Sequence, residues 1–97
     1  MRYTFEWDPG KAEENERKHK VSFERAAEVF RDPWALSIFD EEHSENEERW
    51  ITMGIDSHES LLVLIHTFLE ATPEECRVRI ISARNPKKNE SRQHEEF

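Results

Sequence analysis

The sequence predicts an α+β domain: a small antiparallel β-sheet with helices packed on it, in the order β-α-α-β-β-β-β-α. Three observations predict it. Two helical stretches follow one another near the start with almost no linker. The second half alternates like strands separated by turn residues, and the apolar residues are clustered and periodic rather than scattered. Residues 1–97 are expected to form one domain, since a chain of this size buries more than half of the surface it exposes when unfolded.

The elements follow in order. Tyr3 to Trp7 is an aromatic-rich alternating run, expected as a short strand. Asp8-Pro9 then starts a helix: Asp8 caps free N–H groups, and Pro9 sits where its missing donor does no harm. Glu13 and Glu14 lie early and Lys18, His19 and Lys20 late, as the helix dipole favours, so the helix should run to about Lys20. Ser22 is a good N-cap for the next helix, whose Phe23, Ala26, Ala27 and Phe30 form an apolar stripe. Asp32-Pro33 ends it, because the residue before proline is pushed out of helical geometry. Ala35 to Phe39 reads as a short strand leading into an acidic loop. Arg49 to Ile55 alternates, with Arg49, Ile51, Met53 and Ile55 on one face and Trp50, Thr52 and Gly54 on the other. Asp56 to Ser60 is a turn without the glycine that secures a tight hairpin. Leu61 to Leu69 reads as a central strand, Ala71 to Glu75 as a loop containing Pro73, and Arg77 to Arg84 as the last strand. Asn85-Pro86 opens a basic helix running to roughly His94.

Composition narrows the function. The chain carries 37% charged residues and a net charge of -8, yet three Trp, six Phe and one Tyr can anchor a core. The first residues contain no apolar signal-peptide core, and the longest apolar run, Leu61 to Ile65, is far short of the ~20 residues a membrane helix needs. Cys76 has no partner for an internal disulfide. A cytoplasmic location is expected, with no membrane partner. From Asp40 to Glu48 there is no Lys or Arg, whereas Arg77 to Arg92 holds four Arg and two Lys against Glu90 alone. General, non-specific affinity for nucleic acid is not expected at this net charge, but a local phosphate site is compatible with the basic strip. The acidic body suits a basic partner.

Few residues offer chemistry. His19, His43, His58, His66 and His94 lack the spacing of a zinc site, so neither metal nor cofactor is expected. His66 sits in an apolar strand, where a hydrogen-bonded core histidine and an active-site histidine are both readings. Arg77 and Arg79 share one strand face, and Arg84 falls with Val78, Ile80 and Ser82 if the strand is regular. An arginine among apolar strand positions needs a carboxylate or a phosphate.

A longer pattern is present: F-E-W-D-P (Phe5 to Pro9) with Lys11 and Asn15, K-H-x-V-S-F (Lys18 to Phe23) and V-F-x-D-P (Val29 to Pro33). It continues with H-S-x-x-E-x-R (His43, Ser44, Glu47, Arg49), L-L-V, His66-Thr67, R-I-I-S-A-R (Arg79 to Arg84) and Glu90. In order and spacing this resembles the BrnT family of small bacterial ribonuclease toxins. The resemblance implies a RelE-like fold, metal-independent RNA cleavage that stops growth, and inhibition by a BrnA-like antitoxin with a ribbon-helix-helix part. DNA is then touched only through the antitoxin, and there is room for a homodimer within the complex. This chain departs from the family at Lys20 and at Glu59-Ser60, where glycine and Gly-Arg are usual, and at Ser91 and His94, where arginine and tyrosine are usual.

RNA cleavage without metal needs a base for the 2′-hydroxyl, an acid for the leaving oxygen and cations for the phosphate. On motif position, Arg79 and Arg84 are the phosphate candidates and Glu47 or His94 the proton carriers, with Arg49 orienting Glu47 or adding charge. Trp34 and Trp50 are the candidate anchors for the antitoxin. The alternative is a catalytically degenerate module that only holds its antitoxin in a repressor complex. The lost cations favour the module, and the retained R-I-I-S-A-R favours the enzyme.

Overall fold

The computed structural model describes residues 2–95, and their side chains apart from those of residues 70, 71 and 92–95. Five strands form one sheet: β1 (Arg2–Glu6), β2 (Leu36–Phe39), β3 (Trp50–Ile55), β4 (Leu61–Thr72) and β5 (Glu75–Arg84), in spatial order β1-β5-β4-β3-β2. Strands β2 to β5 are an antiparallel meander, as expected. Strand β1 joins the far edge in parallel with β5, from Arg2 opposite Glu75 to Glu6 opposite Arg79, so the sheet is mixed. A parallel neighbour needs a long connection, which here includes both early helices and the whole meander. The β4–β5 connection is tighter than the expected Ala71–Glu75 loop: strand pairing reaches Thr72 opposite Glu75, and only Pro73 and Glu74 turn.

The helices begin and end where the sequence places their caps. In α1 (Pro9–His19) the Asp8 carboxylate accepts from the amides of Gly10 (2.7 Å) and Lys11 (3.3 Å). Lys20 closes α1 in the left-handed region, φ 61°, where glycine would sit without strain. Ser22 caps α2 (Phe23–Glu28), which tightens into a 3₁₀ turn over Val29–Arg31. Asp32 then turns extended before Pro33, and its carboxylate accepts from the Ile55 amide at 2.9 Å. The turn before β4 lacks glycine and compensates with Asp56. Its buried carboxylate takes the amides of His58 and Ser60 and a salt bridge from Arg25 at 2.8 Å, while Glu59 is forced to φ 63°. Burial would raise the Asp56 carboxyl, but the Ser60 amide and Arg25 overcome it and hold the group below its ordinary value.

One sheet face carries the core. Val21, Phe23, Ala26 and Val29 pack against Leu62, Leu64, Val78, Ile80 and Ala83. Phe30 completes the stripe at the centre of an aromatic cluster, its ring 5.1–5.3 Å from those of Tyr3, Phe5 and His66. At Gly54 a Cβ would lie 2.7 Å from Val29 Cγ1, so the 3₁₀ turn reaches the sheet only over glycine.

The register determines what the other face carries. Ser82 pairs with Ile65, but Ile80 pairs with His66, leaving Ile81 as an extra residue in β5. The strand is therefore not regular, and the expected placement of Arg84 beside Val78 and Ile80 is wrong. Arg77, Arg79 and Arg84 pair with Leu69, Thr67 and Val63, alternate residues of β4, so all three arginines share the face away from the core.

His66 is a core histidine. It is fully buried, its Nδ1–H donates to the Thr67 carbonyl, and its Nε2 accepts from the Thr52 hydroxyl, which in turn meets Ser37 Oγ at 2.7 Å. Desolvation lowers its pKa from 6.5 to about 4. Between those values the unfolded state binds the extra proton, so this contribution is complete above pH 6.5 and is lost as pH falls toward 4, about 3 kcal/mol in all. Glu47, Asp56 and Glu90, whose carboxyls are also held low, weaken the fold only below their ordinary values of 4.5, 3.8 and 4.5. Urea midpoints of the wild-type chain should thus fall on acidification from neutral pH to about 5, and His66→Gln should flatten that slope. A flat wild-type profile would place His66 in water.

Candidate active site

The long loop after β2 returns Glu47 over the face opposite the main core. Asp40 starts the loop: its amide donates to the Arg49 carbonyl at 2.9 Å, and its carboxylate meets His43 Nδ1 at 3.0 Å. The Ser44 hydroxyl accepts from the Arg49 amide at 3.0 Å, which closes the loop on itself and aims Glu47 inward across the sheet. There both Glu47 oxygens bond Arg79 Nη2, and Arg49 Nη2 stands 3.7 Å from the same carboxylate. The hydrogen bond from Arg79 is the main cause of a lowered Glu47 pKa, and the charges of Arg79 and Arg49 add to it. Arg49 also carries the one buried side-chain polar atom without a partner among the described residues, its Nε. Beside this triad lies a hollow of about 260 Å³ lined by Glu42, His43, Glu45, Asn46, Glu47 and Arg49.

The structure therefore brings Glu47, Arg49 and Arg79 together, across 32 residues in the case of Glu47 and Arg79. Arg84 lies on the same face five residues further along β5, roughly 15 Å away at strand spacing. It forks onto Glu90, with Nη1–Oε1 at 2.8 Å and Nη2–Oε2 at 3.0 Å, which ties α3 (Lys88–Glu95) to the end of β5. That pair keeps the Glu90 carboxyl below its ordinary value. Arg79 is the more open of the two, 44% exposed against 26% for Arg84. His94 belongs to α3, but its side chain lies outside the described residues. Trp34 is 67% exposed in the turn before β2, whereas Trp50 is half buried between Phe39 and Phe68.

Sequence reasoning missed the role of Asn15. It is buried at the C-terminal end of β5, where β1 no longer covers the sheet edge. Its Nδ2 donates to the carbonyls of Val21 (3.0 Å) and Ala83 (2.8 Å), and its Oδ1 accepts the Ala83 amide (3.1 Å). A side-chain amide thus stands in for a missing strand, one residue before Arg84. The signal was a lone Asn on an otherwise charged helix, four residues after Lys11. Among the described residues no group of three His, Cys, Asp or Glu side chains could hold a metal ion, and no helix is long and apolar enough to cross a membrane.

Comparison with known proteins returns one family model, described as the ribonuclease toxin BrnT of a type II toxin-antitoxin system, which matches residues 7–90. No curated protein matches the chain. The matched span includes Asn15, Glu47, Arg49, Arg79, Arg84 and Glu90, and ends before His94.

Proposed function

This chain belongs to the BrnT toxin family, and we propose that it is a metal-independent endoribonuclease, acting in the cytoplasm and neutralised by a basic ribbon-helix-helix antitoxin. The observation that carries the reading is the convergence of Arg79 and Arg49 on one carboxylate, with Arg49 Nε buried and unpaired beside it. On a protein of net charge -8, cations gathered around an anion-sized position favour a phosphate there.

In this reading a scissile RNA phosphate takes the place that Glu47 holds between the two arginines. The displaced carboxylate, ionised at neutral pH even at its ordinary value of 4.5, accepts the proton of the 2′-hydroxyl as that oxygen attacks phosphorus. Arg79 and Arg49 stabilise the charge that accumulates on the phosphoryl oxygens. A second group must protonate the departing 5′-oxygen, and His94 is assigned that role on its place in the sequence pattern alone. Arg84, its fork already filled by Glu90, acts by holding α3 in place. The products are a 2′,3′-cyclic phosphate and a free 5′-hydroxyl.

The test is expression without a partner, together with purified chain and RNA in EDTA. Growth arrest and RNA cleavage are expected, both reversed by the antitoxin. A harmless chain that leaves RNA intact, alone and with ribosomes, would instead be a binding module of a repressor complex, a reading that the pairing of Arg79 and Arg84 with carboxylates favours.

A further inference from the structure

We propose that the free edge of β2 takes up an extended, basic segment of the antitoxin as a sixth strand; this rests on the toxin–antitoxin reading above. Strand β2 lies at the outer edge of the sheet, hydrogen-bonded only to β3. Asp40 donates to the Arg49 carbonyl, so in the antiparallel ladder Ile38 and Leu36 also face β3. The N–H and C=O groups of Ser37 and Phe39 therefore point outward. Edges are usually blunted by Lys, Pro, a bulge or a covering loop, and Leu36-Ser37-Ile38-Phe39 has no charge, proline or bulge.

Apolar exposure concentrates at the same place. Of the five exposed large hydrophobic residues described, three are on or beside this strand: Trp34 (67%), Ile38 (57%) and Phe39 (40%). A groove of about 140 Å³ adjoins it on the face opposite the main core, lined by Leu36, Ile38, Ile51, Met53 and Val63 with Glu90 at its rim, room for one apolar side chain of an added strand. The next residue along the chain, Asp40, opens the run to Glu48 that holds no Lys or Arg. An occupant with basic residues flanking its apolar positions matches both features. A second copy of this chain matches the apolar one only, because it brings another net charge of -8.

The experiment measures amide hydrogen exchange in the free chain and in its complex with the ribbon-helix-helix antitoxin that the reading above calls for. The Ser37 and Phe39 amides should exchange freely alone and become protected in the complex. Ile38→Lys should weaken that complex by about 30-fold, as loss of an interface anchor does. Ser37→Pro, set against Ser37→Ala to account for the lost hydroxyl bond to Thr52, removes one outward donor while sparing the backbone ladder to β3, and should weaken it too. A complex that forms with both amides unprotected and both variants binding like wild type would overturn the edge assignment and leave the toxin–antitoxin reading standing. If wild type binds nothing, that reading falls and the proposal with it. Protection that appears as the chain alone is concentrated would assign the edge to a second copy and overturn the proposal.

Discussion

Arg79→Ala is expected to abolish growth arrest and to slow RNA cleavage by about 100-fold or more, the usual cost of losing a donor aimed at transition-state charge. The urea midpoint should barely move. Arg79 is nearly half exposed, and its ion pair with Glu47 lies in water-accessible surroundings where such pairs contribute little to folding. Arg79→Lys should fall between the two, since an ammonium restores charge without the planar fork. The variant also frees Glu47, whose carboxyl should return toward its ordinary value of 4.5. Undiminished cleavage by Arg79→Ala would move the phosphate away from the Glu47 triad.

Asn15→Ala should cost about 3 kcal/mol, because it strips partners from the Ala83 amide and from the carbonyls of Ala83 and Val21, which the buried Asn15 side chain now satisfies. For a chain of this length that is a fall of more than about 10 °C in melting temperature. Asn15→Asp should do no better, since a carboxylate accepts from the Ala83 amide but offers nothing to two carbonyls. A loss below about 0.5 kcal/mol in urea melts would mean that water replaces the side chain without penalty.

What could be read from the sequence was local. Asp8-Pro9, Ser22 and Asp32-Pro33 state their business within four residues, and each cap or stop is where the pattern puts it. Lys20 and Glu59, both standing where the family has glycine, are the two non-glycine residues with positive φ among those described. The departure was legible, and its answer was a backbone that keeps the left-handed turn and carries the strain of a side chain there. Non-local facts were hidden. Nothing in Tyr3 to Trp7 says that its partner lies more than seventy residues on and runs parallel. His66 offered two readings, and only the Thr52 hydroxyl across the ladder selects the buried one. Glu47 and Arg49 came from motif position, and their convergence on Arg79 needed the loop that Asp40 and Ser44 fold. Arg84 was misplaced because Ile81 carries no glycine or proline to announce a bulge.

That extra residue makes strand length a variable in its own right. Side chains in a strand obey a two-fold rhythm, and Ile81 drops one beat between the aliphatic stretch of β5 and its last arginine. Point substitutions leave that rhythm intact, so the sequence of R-I-I-S-A-R can drift while Arg84 stays on the face of Arg79. Removing Ile81 alone would only make the strand regular, with Ser82 still opposite Ile65, but removing both Ile81 and Ser82 would do what no substitution does. It would turn Arg84 in among Leu62, Leu64 and Phe23, carry Ala83 out to the surface, and leave Asn15 opposite the wrong peptide. The spacing of this short motif can therefore give up its bulge and nothing more.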